Sequence, residues 1–214
     1  MKNKIFFEIF EKLYRFFGPQ GWWPAESPFE VCVGAILTQN ANWKNVEKAI
    51  ENLKKKNLLT PEALYQLSER ELAELIKPSG FYNLKAKRLK NFLKFLFENY
   101  QGDLKRMREE NPEILRRKLL EVKGLGLETV DSILLYALDM PFFVVDAYTY
   151  RILFRHGLCP EETTYEELQN IFHENLERDI ELYKEFHALL VACGKIFCKM
   201  KEPLCEPCPL SELR

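Results

Sequence analysis

The sequence predicts an all-α protein, and three observations carry that expectation. Apolar residues recur at three-and-four spacing along almost the whole chain, the period of a helix with one buried face. Capping and stop signals bracket several of these stretches. Glycine is scarce, 9 of 214 residues, too few for the many tight turns of a sandwich or barrel.

The elements follow in order. Ile5, Phe6, Ile9, Phe10, Leu13 and Phe17 form one stripe with charges between them, an amphipathic helix rather than the continuous apolar core of a secretory signal. Val46, Ala49, Ile50 and Leu53 mark a helix over 43–56 with lysines opposite. Ser68 and Glu71 read as a capping box ahead of Leu72, Leu75 and Ile76, and Lys77-Pro78-Ser79-Gly80 stops that helix. A longer helix over 83–99 runs through Leu84, Leu89, Phe92, Leu93 and Leu96. Asn111-Pro112 supplies a cap and a first-turn proline for the next. Phe142-Phe143-Val144-Val145 is the one candidate strand; without a partner of similar character it reads as buried extended chain. A helix follows from Ala147 to about His156, Thr164 and Glu167 give another capping box, and a last helix spans about 179–194. That makes roughly ten helices.

Hydrophobic residues are 47% and charged residues 29% of the chain, which excludes a disordered or low-complexity protein and allows a full core. No run approaches the roughly 18 apolar residues of a spanning helix. The chain is expected in the cytoplasm, where disulfides are disfavoured. Cys32, Cys159 and Cys193 are scattered, whereas Cys198, Cys205 and Cys208 crowd together, which in a reducing compartment suggests metal. The formal net charge of −1 does not exclude nucleic acid, because binding depends on where the positive charge sits.

Two segments carry chemistry. Between two helical patterns lies Val122-Lys123-Gly124-Leu125-Gly126-Leu127-Glu128. Two glycines permit positive φ and close approach of another molecule, and the N–H groups opening the next helix form an anion site suited to a DNA phosphate. An ordinary helical corner with a glycine cap fits the same residues. The apolar stretch that begins at Met140, fifteen residues past Leu125, ends at Asp146, where the next helix begins. Aspartate is a favoured N-cap; a desolvated carboxylate beside bound DNA also has an obvious chemical use.

Hairpin, apolar stretch and aspartate in this order resemble the helix-hairpin-helix, Gly/Pro-rich, Asp superfamily of DNA glycosylases. Ile36-Leu37-Thr38-Gln39-Asn40 resembles its early helix-to-loop segment, and Gly80-Phe81-Tyr82-Asn83-Leu84-Lys85-Ala86 its GxYNxKA segment. The resemblance implies a six-helix barrel over about 28–133, with the helix-hairpin-helix at about 112–137. It implies a second helical domain from 1–27 plus 134–214, and an active-site cleft between the two. It makes Asp146 the essential carboxylate and places Gln39 in the DNA stack where the base leaves; Lys123, Gly124, Leu125, Gly126 and Arg151 would grip the DNA. The partner is damaged double-stranded DNA, and the protein a monomer.

Bifunctional members carry a lysine two residues after the second hairpin glycine. Here that position is Glu128, and a carboxylate cannot form a Schiff base. The expectation is therefore a monofunctional enzyme with water as nucleophile. Trp22, Trp23 and Trp43 lie in or beside loops, suited to stacking a cationic base, with Glu128 as a negative wall. Together with the WWP and LTQN segments, these resemble the 3-methyladenine DNA glycosylase III type within the endonuclease III-like branch. The alternatives are a bifunctional glycosylase/lyase for oxidised pyrimidines and a non-catalytic DNA-binding module.

The basic run Lys85, Lys87, Arg88, Lys90 and Lys94, with Arg116, Arg117, Lys118, Arg151 and Arg155, offers a face for the DNA backbone. Cys198, Cys205 and Cys208 match the first three ligands of the family's iron–sulfur loop, but the fourth position is Arg214. A [4Fe–4S] cluster with a substitute ligand such as Cys193, a zinc ion and a metal-free loop all remain open.

Overall fold

The computed structural model describes residues 4–213. It is helical, with no strand among the described residues. Among the described residues there are twelve α-helices, more than the sequence suggested, because helices as short as Pro61–Gln66 and Leu104–Arg108 hold too few residues to display a period. No described helix is long and apolar enough to cross a membrane. The chain divides into two compact units, Ala25–Met140 and Met1–Pro24 with Pro141–Arg214.

In the first unit the central element is α2 (Pro28–Leu37), capped by Ser27, whose hydroxyl accepts the Glu30 N–H. Nearly all of α2 is buried, which is why its sequence reads as continuously apolar rather than amphipathic. Its Glu30 is 5% exposed and meets Lys54 Nζ at 2.8 Å. Around α2 lie α3 (Trp43–Lys55), α6 (Tyr82–Tyr100) and α9 (Leu127–Ser132). The short α4 (Pro61–Gln66) and α5 (Glu69–Leu75) lead into α6, and the capping box of Ser68 and Glu71 is formed. After α7 (Leu104–Arg108), Asn111 caps α8 (Pro112–Glu121), with Pro112 in its first turn. The hairpin then leads into α9, which continues as one turn of π-helix at Ile133–Ala137.

The second unit packs α1 (Lys4–Phe17) and α10 (Ala147–Arg155) against α12 (Ile180–Ile196), with α11 (Tyr165–Asn175) completing it. Its core is aromatic: Phe143 stacks on Phe172 at 3.7 Å and meets Tyr183 and Phe186 edge-on. The buried stretch 142–145 is extended but pairs with no strand. Side chains satisfy its backbone instead. Gln169 Nε2 donates to the Phe143 carbonyl at 2.7 Å, and the Phe143 N–H donates to His173 Nε2 at 3.0 Å. Pinned on both polar edges and stacked in the core, this segment delivers Asp146 to the start of α10 in one fixed place.

Candidate active site

Asp146 is the N-cap of α10. Its Oδ1 accepts the Thr149 N–H at 2.7 Å and the Thr149 hydroxyl at 2.9 Å. Its Oδ2 faces His187 Nε2 at 3.7 Å, too long for a hydrogen bond and close enough for charge to act. Burial pushes the carboxyl's pKa up, but the His187 ring and the two Thr149 donors together hold it below the ordinary carboxylate value. Asp146 is thus an anion with a side chain only 12% exposed, one oxygen accepting twice from Thr149 and the other turned to His187. The His187 ring lies nearly parallel to Trp22, with centroids 5.6 Å apart, and Trp22 stacks on Trp23 at the same separation. Lys195 Nζ sits 5.6 Å from the Trp22 ring centre. The second unit therefore brings together Asp146, Trp22 and Trp23, with His187 between them. His187 was missed in the sequence; its signal was a lone titratable ring among Phe186, Ala188, Leu189 and Leu190, all buried.

In the first unit, the hairpin gathers a different set. Gly124 has φ +101°, and a Cβ there would collide with Arg88 Cγ. Gly126 departs from expectation: its φ is −95°, an extended N-cap without a side-chain cap bond. No atom lies within 4 Å of a Cβ built on it, so its value is the open approach to the N–H groups of α9. Leu125 is buried under the turn while Lys123 and Glu128 are exposed. Gln39 Nε2 donates to the Gly124 carbonyl at 3.1 Å and to Thr129 Oγ1 at 2.8 Å, and Gln39 Oε1 accepts from Arg88. Gln39 is thus tied to the hairpin rather than projecting from it. Trp43, the first residue of α3, donates from Nε1 to Glu47 at 2.7 Å.

The basic residues divide in a way the sequence did not reveal. Lys85 is 1% exposed and donates to the Ser79 carbonyl; burial and the nearby Arg88 charge lower its pKa to about 8. Lys90 donates to the carbonyls of Tyr65 and Leu67 at the end of α4. Arg116 forms a two-point pair with Asp131, which is fully buried. Arg151 Nε donates to the Cys198 carbonyl at 2.6 Å, and Arg155 to those of Lys199 and Met200. Arg116 is tied to a buried carboxylate, and each of the others lies beside a helix end or loop whose carbonyls it satisfies. Lys87, Lys94, Arg117 and Lys123 remain exposed.

Cys198 is buried and Cys205 and Cys208 half-buried. All three line one cavity of about 190 Å³, and Cys193 of α12 lines it with them. Arg155 Nη1 lies 3.4 Å from Cys198 Sγ. Among the described residues no three His, Cys, Asp or Glu side chains are placed to share a single metal ion. Arg214 lies outside the described residues.

Residues 33–178 match the family described as HhH-GPD superfamily base excision DNA repair protein. The chain belongs to this family. This HhH-GPD protein is a DNA glycosylase of base excision repair. It is 52% identical, over 99% of its length and 96% of the other chain, to a Methanocaldococcus jannaschii protein provisionally named a DNA repair glycosylase. It is 32% identical to endonuclease III of Thermotoga maritima, over 85% of this chain and 79% of that one. Among solved structures, the Helicobacter pylori 3-methyladenine DNA glycosylase bound to 1,N6-ethenoadenine superposes with a TM-score of 0.75 at 31% identity, covering 89% of this chain and 97% of that one. A trapped endonuclease III–DNA covalent intermediate superposes with a TM-score of 0.84 at 23% identity, covering 100% and 95%, a likeness of fold. The HhH-GPD fold and the endonuclease III-like relatives expected from the sequence are both found.

Proposed function

We propose that this HhH-GPD protein is a monofunctional glycosylase that hydrolyses the N-glycosidic bond of a flipped alkylated purine such as 3-methyladenine in double-stranded DNA. The observation that carries the reading is Asp146: an anion kept ionised against burial, at the head of α10, with an aromatic group beside it.

The chemistry follows from charge. Cleavage builds positive charge on the deoxyribose, and a fixed carboxylate stabilises it without reorganising. Thr149 occupies Oδ1, so Oδ2, which shares its space with His187, would be the oxygen that meets the sugar or orients the attacking water. An alkylated purine is already cationic and leaves without much acid assistance, so the enzyme needs chiefly a place to hold it. Trp22 and Trp23 offer ring faces, each such contact contributing roughly 0.5–2 kcal/mol. The Lys195 ammonium 5.6 Å from the Trp22 ring centre supports this ring as one that takes a cation. Extruding the base costs a few kcal/mol, which Lys123 and the N–H groups at Gly126 offset by holding phosphate. Gln39 would have to exchange its hairpin bonds for the DNA stack. Glu128 at the position of the bifunctional enzymes' lysine supports hydrolysis over β-elimination. The relative that binds 1,N6-ethenoadenine supports a modified purine as substrate.

The cysteine loop fits an iron–sulfur cluster: its thiols ring a cavity and a guanidinium faces Cys198. Cys198, Cys205 and Cys208 would hold it. When bound, it supplies a rigid scaffold for the loop.

The test is a panel of duplexes each bearing one lesion, with released bases identified by chromatography, with and without alkali. Release of alkylated purine with strand cleavage only after alkali is expected. A complex trapped by borohydride would overturn the monofunctional reading.

A further inference from the structure

The geometry points to Cys193 as the fourth thiolate of the iron–sulfur site, replacing from α12 the ligand that the loop's spacing would put at position 214. Three thiols at 198, 205 and 208 leave one corner of a four-iron cluster without a protein ligand. Position 214 is arginine, which has no thiolate to give. Cys193 is the cysteine that the fold brings to the same place. It lines the cavity with the other three, and its Sγ lies 3.9 Å from Cys208 Sγ. The end of α12 explains how. The Cys193 carbonyl accepts the N–H groups of both Phe197 and Cys198, at 2.8 and 3.0 Å. The chain therefore makes one tight turn there and sets Cys198 just below Cys193. Further backbone bonds, Leu204 N–H to the Phe197 carbonyl and Cys208 N–H to the Cys205 carbonyl, fold the loop back toward the helix end.

The surroundings suit an anionic cluster. Arg155 reaches Cys198 Sγ while its other donors hold the loop carbonyls of Lys199 and Met200. Arg151 holds the Cys198 and Gly194 carbonyls. The thiols surround a cavity instead of converging on one point. Four thiolates also suit a single tetrahedral ion, and the sulfide and zinc assays below separate the two. Cys32 and Cys159 do not line the cavity and are the natural controls.

The inference does not rest on the glycosylase reading and is tested without activity. The full chain is loaded with ferrous iron and sulfide under oxygen-free reducing conditions, then assayed for iron, sulfide, zinc and visible absorbance. The expected result is about four iron and four sulfide per chain in the wild type and in Cys159→Ser. Cys193→Ser is expected to lose the cluster or to keep a three-iron form recognised by its paramagnetic resonance. A second measurement needs no variant. The Mössbauer spectrum of the iron-57-loaded wild type should show iron in sulfur coordination throughout. The inference is overturned if Cys193→Ser holds a full cluster, if a quarter of the wild-type iron carries oxygen or nitrogen ligands, if stoichiometric zinc binds without sulfide, or if the wild type takes up no metal.

Discussion

Asp146 holds its charge where burial opposes it, so its neighbours decide its chemistry. Asp146→Asn keeps the cap acceptor for Thr149 but removes the charge. Base release should fall by about 10²–10³-fold, the typical loss of one electrostatic stabiliser, while affinity for lesion DNA by fluorescence anisotropy is unchanged. Equal release by the variant would sink the assignment. His187 sets the working pH range. The ring favours the ionised form of Asp146, so His187→Gln lets the carboxyl rise, and the acidic limb of the single-turnover rate should move to higher pH. Stability has a matching sign. A carboxyl whose folded pKa is depressed contributes stability above its unfolded value and loses it as pH falls through the folded one. Acid unfolding below about pH 4 should therefore be less steep in Asp146→Asn than in the wild type.

At the scale of elements, the active carboxylate depends on how α10 lies on α12. Gly194 is seven residues from His187, two turns along one face of α12. A Cβ at 194 would come within 2.7 Å of Tyr148 Cβ, near the start of α10. An atom that close to a Cβ cannot be avoided by a rotamer change, so Gly194→Ala must push the start of α10 away. Asp146 moves with it, and base release should drop at least tenfold with helical circular dichroism retained. In the hairpin unit, Arg116 of α8 pairs with the buried Asp131 of α9. Removing the cation takes a two-point partner from a buried anion, so Arg116→Ala should cost about 3 kcal/mol in denaturant unfolding. Legibility in the sequence followed the same division. Caps at Ser68, Asn111, Asp146 and Thr164 were readable because a cap is decided within four residues. The extended run to Asp146 was readable because it lacked a partner strand. His187 beside Asp146 was not, because the two meet through packing although they stand 41 positions apart in sequence. The conformation of Gly126 was not, because composition shows what a glycine permits and only the fold shows what it adopts.

For the molecule as a whole, positive charge is the quantity that sequence and structure apportion differently. Lysine and arginine total 31 against 32 acids, and the runs that looked like a DNA face are in large part consumed inside. Lys85, Lys90, Arg116, Arg151 and Arg155 all spend their donors on carbonyls or a buried carboxylate. A cation already committed to a protein carbonyl releases no counterion from a phosphate. Salt dependence of DNA binding should therefore report few contacts. Each phosphate neutralised contributes about −0.9 to the slope of log affinity against log salt. Lys123 is exposed beside the hairpin, with its carbonyl held by Asn91, so its ammonium is placed for phosphate by a fixed backbone. Lys123→Ala should flatten the slope by about 0.9 with an unchanged melting temperature. Lys90→Met should do the reverse: its loss unties three carbonyls at the end of α4, lowering the melting temperature and leaving the slope intact. If Lys90→Met flattened the slope as Lys123→Ala does, the division between internal and DNA-facing cations drawn from these contacts would be wrong.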